Sequence, residues 1–254
     1  MSERFFSPHP ITAGGMMLDG PEAHHLLHVM RASVGDEVTL FDDSGAEFKA
    51  TVETLRRADA ELRIVERREL DRELPFALVL GVALPKGDRQ KWLVEKLTEL
   101  GVTTLVPLIT ERCVAQPAAS AVDRLRRSVI EAAKQCGRNR LMKIAEPQAW
   151  NEWIEGNCGS RIADRGLVVE SEIRNPKSEI KTRRLLAHPS GLPLSDLNLS
   201  QSIPTHVNIG PEGGLTDAEV AAATTAGWQS VDLGPRILRV ETAAIAVTAA
   251  IALR

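Results

Sequence analysis

The chain has 254 residues, is 43% apolar and carries a formal net charge of −3 at neutral pH. That length allows two domains and the composition is globular, while the mild negative charge argues against electrostatic capture of nucleic acid by the whole chain. Cys113, Cys136 and Cys158 are odd in number and widely spaced, so they suit a reducing cytoplasm and form neither a zinc pattern nor a disulfide framework.

Met1 to Pro10 is polar and proline-punctuated, without the apolar stretch of a secretory leader, and a cytoplasmic location is expected. Pro21 to Met30 reads as a short helix carrying His24, His25 and His28. No carboxylate or cysteine stands at a convincing ligand spacing from them, so they are expected on the surface or in packing, with no metal. Glu37–Asp42 and Glu47–Val52 are strand-like, and Asp43-Ser44-Gly45 between them marks a hairpin. Ala60–Glu66 alternates weakly as a third strand. The charged stretch Glu66–Glu73, closed by Leu74-Pro75, reads as a linker, dividing the chain into a β-rich module (1–73) and a larger domain (74–254). Up to Glu73, nine basic residues stand against fifteen acidic ones, so this module binds RNA only if its arginines gather on one face.

Beyond the linker, strands alternate with helices. Phe76–Leu84 is the near-continuous apolar run of a strand buried on both faces. Asp88–Leu100 is amphipathic, with Leu93, Leu97 and Leu100 on one side and Gly101 as its stop. Thr104–Ile109 is a strand and Leu125–Cys136 a helix, followed by strands at Arg184–Ala187, Thr205–Ile209 and Ser230–Leu233. Gly156–Thr182 reads as loop, with a strand near Gly166–Val169. The alternation predicts a parallel sheet covered by helices. Between Glu111 and Lys143, eight basic residues face three acidic ones, either a solvated helix face or a surface for a phosphate backbone.

Two loops near the C-terminus carry the most information. Asn208–Thr216 (NIGPEGGLT) and Leu233–Ala243 (LGPRILRVETA) each follow a β-branched run and lead into a helix, where open α/β sheets bind ligands. Gly210, Gly213 and Gly214 permit positive φ and close backbone approach. Thr216 and Glu219 predict a capping box, and Gly227 the stop of that helix. Ala243–Leu253 is apolar all round but too short for a membrane span, so it is expected to be buried on most sides, in a core or a subunit interface. A P-loop, a G-x-G-x-x-G fingerprint and a G-x-S-x-G elbow are all missing from the sequence.

Gly210-Pro211-Glu212-Gly213-Gly214-Leu215 and the Leu233–Ala243 block resemble the RsmE-type 16S rRNA (uracil-N3)-methyltransferases of the SPOUT superfamily. Further blocks agree in order: Arg4-Phe5-Phe6, His24–Arg31, Leu84–Asp88 leading into Glu95–Val102, and Glu131–Arg140. The resemblance implies an N-terminal PUA-like β-barrel and a C-terminal α/β domain whose parallel sheet is tied in a trefoil knot, working as a homodimer. It implies S-adenosylmethionine as cofactor and, as substrate, a uridine of 16S rRNA in the 30S subunit.

Mapped onto this sequence, Leu186, Ala187, His188 and Pro189 form one cofactor loop. Ile209, Gly210, Pro211, Glu212, Gly213 and Gly214 enclose the adenosine and methionine portions. Leu233, Gly234, Ile237, Leu238, Arg239 and Thr242 close over the adenine. Uridine N3 bears a proton that leaves only at alkaline pH, so the site must remove it or stabilise the anion spread onto O2 and O4. Arg236 or Arg239 is assigned that stabilisation, with Glu241 as orienting group or base. Glu212 has a competing structural role, pairing with a nearby arginine or capping a turn, and Arg239 with Glu241 could equally form an ion pair that stiffens the loop. Arg4, Arg31, Lys86, Arg138 and Arg140 are the candidate RNA contacts. The alternatives are a SPOUT enzyme acting on a ribose 2′-hydroxyl and a non-catalytic RNA-binding or ribosome-assembly protein.

Overall fold

The computed structural model describes residues 4–12, 14–113, 119–156, 182–199 and 202–253. Cys158 and the strand expected near Gly166–Val169 lie outside the described residues. The chain divides into two compact units, Met1–Glu73 with Val129–Leu141, and Leu74–Ser128 with Met142–Arg254.

The first unit contains β1 (Arg4–Phe6), β2 (Gly15–Leu18), α1 (Gly20–His24), β3 (Glu37–Phe41), β4 (Ala46–Leu55) and β5 (Ala60–Glu69). Its sheet runs β1-β3-β4-β5-β2, parallel between β1 and β3 and antiparallel elsewhere. Two register shifts between β4 and β5 let these long strands bend, as bulges do, and curl the sheet around a core of Phe5, Leu26, Leu40, Phe48, Val52 and Leu62. The expected hairpin is present, with Asp43 and Gly45 at positive φ in its turn. The expected histidine helix breaks in two, since α1 passes into a π-helical turn at His25–Val29. β5 also runs on to Glu69, through half of the segment that reads as linker.

Val129–Leu141 is tied into this unit by charge. The Lys134 ammonium lies 3.1 Å from Glu22 and over the Phe5 ring. Arg4 pairs with Glu47 at 2.5 Å and donates to Asn139 Oδ1 and the Arg138 carbonyl. Arg72 adds a second cation to Glu47 and donates to the Gly137 carbonyl. Burial alone would raise the Glu47 pKa, but hydrogen bonds from Arg4 and Arg72 outweigh it and hold the carboxyl below its ordinary range. Arg138 pairs through two nitrogens with Glu73.

The second unit contains β6 (Leu78–Val82), α2 (Arg89–Glu99), β7 (Thr104–Ile109), the start of α3 (Ala119–Cys136), β8 (Lys143–Ile144), β9 (Gln148–Ala149) and α4 (Trp150–Glu155). β10 (Arg183–Pro193), β11 (Thr205–Ile209), α5 (Asp217–Thr225), β12 (Gln229–Asp232) and α6 (Val240–Ala252) follow. The sheet order is β12-β10-β11-β6-β7-β8, with β9 also paired to β7, and every pairing is parallel. Strand-helix alternation therefore produces the expected α/β fold. Gly101 and Gly227 end α2 and α5 at positive φ, as their positions predict.

Strand alternation places Thr205, Val207 and Ile209 on the sheet face opposite His206 and Asn208. Trp153 Nε1 donates to Asn208 Oδ1, and the His206 ring lies 5.9 Å from Trp153 and 6.5 Å from Trp228. Gly81 pairs in register with Asn208, and a Cβ there would stand 2.8 Å from Asn208 Oδ1 and 2.9 Å from the Trp153 ring. Only glycine leaves room for the Trp–Asn contact. Burial, with Arg184 nearby adding charge repulsion, pushes the His206 pKa down to about 4.

α6 packs against β6, β11 and α2. Val240, Ala244, Val247 and Ile251 point inward, while Thr242 and Ala246 are exposed and Ile245 and Ala249 half-buried. Glu241, Ala243 and Thr248 are buried as well, so only the strip at Thr242 and Ala246 is left exposed within a single chain. Among the described residues, no helix is long and apolar enough to cross a membrane.

Candidate functional site

β12, β10, β11 and β6 are consecutive in a parallel sheet, so the loops leaving their C-terminal ends share one edge. Two of those loops match the sequence-predicted ligand loops, the expected loop at Leu186–Pro189 lies inside β10, and the loop from β6 brings in a residue that sequence reasoning missed.

The β11 loop is a braced turn. The Gly214 N–H donates to the Pro211 carbonyl at 2.9 Å, and Gly214 sits at φ +70. At Gly210 a Cβ would stand 2.9 Å from Leu215 Cγ, so glycine lets the loop fold back over that buried leucine. The capping box is complete: Glu219 N–H donates to Thr216 Oγ1, and Thr216 N–H donates to Glu219 Oε2. The other Glu219 oxygen accepts the Glu111 N–H at 2.8 Å, and Arg112 donates to the Gly213 carbonyl at 3.0 Å. The segment after β7 thus supports the loop from behind.

The β12 loop turns at Gly234, whose N–H donates to Asp232 Oδ1 and whose φ is +110. Arg236 and Arg239 are exposed, Leu233 and Leu238 half-buried, and Ile237 fully exposed. An isoleucine left wholly in water beside a half-buried leucine is the surface a flat apolar ligand ring would cover. Neither arginine makes an ion pair among the described residues.

At β10 the pairing to β12 slips between Ala187 and Leu192. His188 Nδ1 accepts the Ser190 N–H in this bulge, and Pro189 is exposed. Leu186, Ile209 and Pro211 are buried, so their side chains serve the core and their backbone groups are what remains for a ligand.

In the charged part of the site the expected alternative for Glu212, a pair with a nearby arginine, is realised. Arg89, the first residue of α2, places Nη1 3.1 Å from Glu212 and 3.5 Å from Glu241. Glu241 is 5% exposed, and its Oε2 has no hydrogen-bond partner among the described residues. The alternative of an Arg239–Glu241 pair is not realised, because the Glu241 carboxylate faces α2. Arg89 carried one readable signal: it puts a cation in the first turn of a helix that has no acid there, against the helix dipole.

Of the expected RNA contacts, Arg31 and Lys86 are exposed and Arg140 lies half-buried against the Gly45 turn. Arg4 and Arg138 do not fit that role. Both are committed to the ion pairs with Glu47 and Glu73 that hold Val129–Leu141 in place, and removing them from those carboxylates would strand buried charge. The paired arginines of β5 and its neighbours, such as Arg56 with Glu61 and Arg63 with Glu53, likewise stand beside acids. Among the described residues no cluster of three metal-ligating side chains occurs.

Residues 72–252 match a family profile described as RNA methyltransferase domain, and residues 18–65 match one described as RNA methyltransferase PUA domain. The ribosomal RNA small subunit methyltransferase E of Synechocystis is 32% identical over 237 residues, 93% of this chain and 72% of the relative. That of Bacillus subtilis is 30% identical over 239 residues, 92% of this chain and 88% of the relative. A ribosomal RNA small subunit methyltransferase E from Neisseria gonorrhoeae, solved bound to S-adenosyl methionine, superposes with a TM-score of 0.83 at 30% identity, over 99% of this chain and 97% of that one. With a profile spanning most of the chain and relatives aligned over nearly all of it, this chain belongs to the ribosomal RNA small subunit methyltransferase E family.

Proposed function

We propose that this chain transfers a methyl group from S-adenosylmethionine to N3 of a uridine in 16S rRNA of the 30S subunit, in the cytoplasm. The observation that carries the reading is the shared loop edge, where a glycine-turned loop lies beside exposed Ile237 and two exposed, unpaired arginines. These residues fit the cofactor. Gly234 leaves backbone open, with nothing within 4 Å of a Cβ there, and Ile237 with Leu238 offers an apolar cover for adenine. Ala187, His188, Gly210, Gly214, Leu233 and Thr242 would line the remainder. When bound, the cofactor supplies an activated methyl on a sulfonium.

The chain's own task is then to present N3 as an anion. Arg236 and Arg239 are assigned to the uracil O2 and O4, where a permanently charged guanidinium lowers the cost of losing the N3 proton. Glu241 takes the orienting role rather than that of base, because its carboxylate is buried and turned toward Arg89. Alignment of nitrogen, carbon and sulfur by the loops completes the requirement.

The reading extends to residues 1–73 as RNA-binding module and 74–254 as catalytic domain, supported by the separate profile matches. It includes the knotted path implied by the resemblance, supported by a sheet in which β10 lies between β11 and β12. It includes a homodimer, supported by the apolar strip of Ile245, Ala246, Ala249 and exposed Leu253 on α6 and exposed Trp92 on α2. The test is transfer from labelled S-adenosylmethionine to 30S subunits and to naked 16S rRNA, followed by nucleoside analysis. N3-methyluridine is expected; 2′-O-methyluridine, or cofactor binding without transfer, would overturn the assignment.

A further inference from the structure

Arg89 lies outside every loop singled out for the cofactor, yet it links two of them. Its single Nη1 reaches Glu212 in the β11 loop and Glu241 at the start of α6, directly after the β12 loop. The arginine itself sits where the β6 loop enters α2, a turn made by Gly87 at φ +67. One guanidinium therefore spans three loop exits of the sheet edge.

The energetic balance says that this position serves something other than α2. A cation in a first helical turn opposes the free N–H groups and the dipole there. Its pairing with Glu212 is largely solvent-exposed and contributes little to stability. Glu241 is different, because its side chain is 7% exposed and Arg89 is its counter-charge among the described residues. Removing the guanidinium leaves a buried carboxylate with one oxygen already lacking a partner. That carboxylate is relieved either by taking up a proton or by a shift of the start of α6 toward water, and such a shift carries Leu238 and Arg239 with it.

We propose that Arg89 is a positioning residue that sets the spacing between the Gly210–Gly214 loop and the Leu233–Arg239 loop, and so the width of the cofactor crevice. This rests on the function proposed above. Arg89 acts through Glu212 and Glu241 and is assigned no contact with cofactor or uracil.

The experiment compares wild type, Arg89→Ala, Arg89→Gln, Arg89→Lys and Glu212→Gln for urea midpoint, Kd for S-adenosylhomocysteine by calorimetry, and kcat and KM for methyl transfer. Arg89→Ala and Arg89→Gln are expected to raise the Kd and the KM for S-adenosylmethionine about tenfold, with kcat changed far less. Arg89→Lys, which retains the charge without the fork, is expected to recover most of that loss. Combining Arg89→Ala with Glu212→Gln is expected to cost less than the sum of the two. Kd and KM unchanged in both Arg89→Ala and Arg89→Gln would overturn the proposal. So would a loss tracking the drop in urea midpoint, or strictly additive effects. A wild-type protein that binds no S-adenosylhomocysteine and transfers no methyl group would overturn the underlying functional reading instead.

Discussion

Replacing His206 with phenylalanine should remove a defined part of the acid sensitivity of this fold. The ring is 5% exposed, lies among Trp153 and Trp228, and has an Nδ1 without a partner among the described residues. Burial, then repulsion from Arg184, lowers its pKa from 6.5 to about 4. Between those values the unfolded chain binds a proton that the folded chain refuses, so stability rises with pH. The contribution is fully present above the unfolded value and is lost as pH falls toward 4. Linkage puts the loss at about 2 kcal/mol by pH 5 and about 3 kcal/mol by pH 4. Phenylalanine keeps an aromatic ring in the cluster and cannot titrate. Urea unfolding of wild type and His206→Phe at pH 7.5, 6.5, 5.5 and 4.5 measures the difference directly. Carboxylates such as Glu47 titrate in both proteins, so the gap between the two curves isolates His206. Parallel stability curves across that range would refute the reasoning.

The other predictions concern the loops and the sheet beneath them. Thr216→Ala removes the oxygen that accepts the Glu219 N–H and should cost about 1 kcal/mol by urea unfolding. Gly81→Ala forces a methyl between Asn208, Leu108 and Trp153 and should cost about 1–3 kcal/mol, visible as a lower Tm. Arg236→Ala or Arg239→Ala should lower kcat by about a hundredfold or more while leaving the urea midpoint unchanged, since both side chains are exposed and form no ion pair among the described residues. Arg4→Ala leaves Glu47 buried with Arg72 as its remaining ion-pair partner, and should lower stability by about 2–4 kcal/mol without changing the cofactor Kd.

Local chemistry was legible in the sequence wherever one short segment contained all its own partners. The Thr216–Glu219 box, the stops at Gly101 and Gly227, the Asp43–Gly45 hairpin and the apolar strands β6, β7 and β11 depend on neighbours within a few residues. The glycine-rich loops could be placed at strand ends for the same reason. Very short elements escaped, because β1, β8 and β9 are too brief to show any period and are held as strands by their pairing alone.

Charge was where sequence reading went furthest astray. Arg4, Arg138 and Arg239 look alike in a sequence, and no spacing rule separates them. Arg4 and Arg138 find carboxylates 43 and 65 residues away and become internal cations, while Arg239 finds none among the described residues and stays exposed. Arg89 meets Glu212 and Glu241 only because the sheet order makes the ends of β6, β11 and β12 near neighbours. By itself the sequence determined the longer strands and helices and the glycine-bearing turns between them, since those preferences act over a few bonds. The tertiary structure decided which charges are spent inside the fold and which remain for a ligand, because Coulomb attraction and burial depend on distances that strand order alone sets.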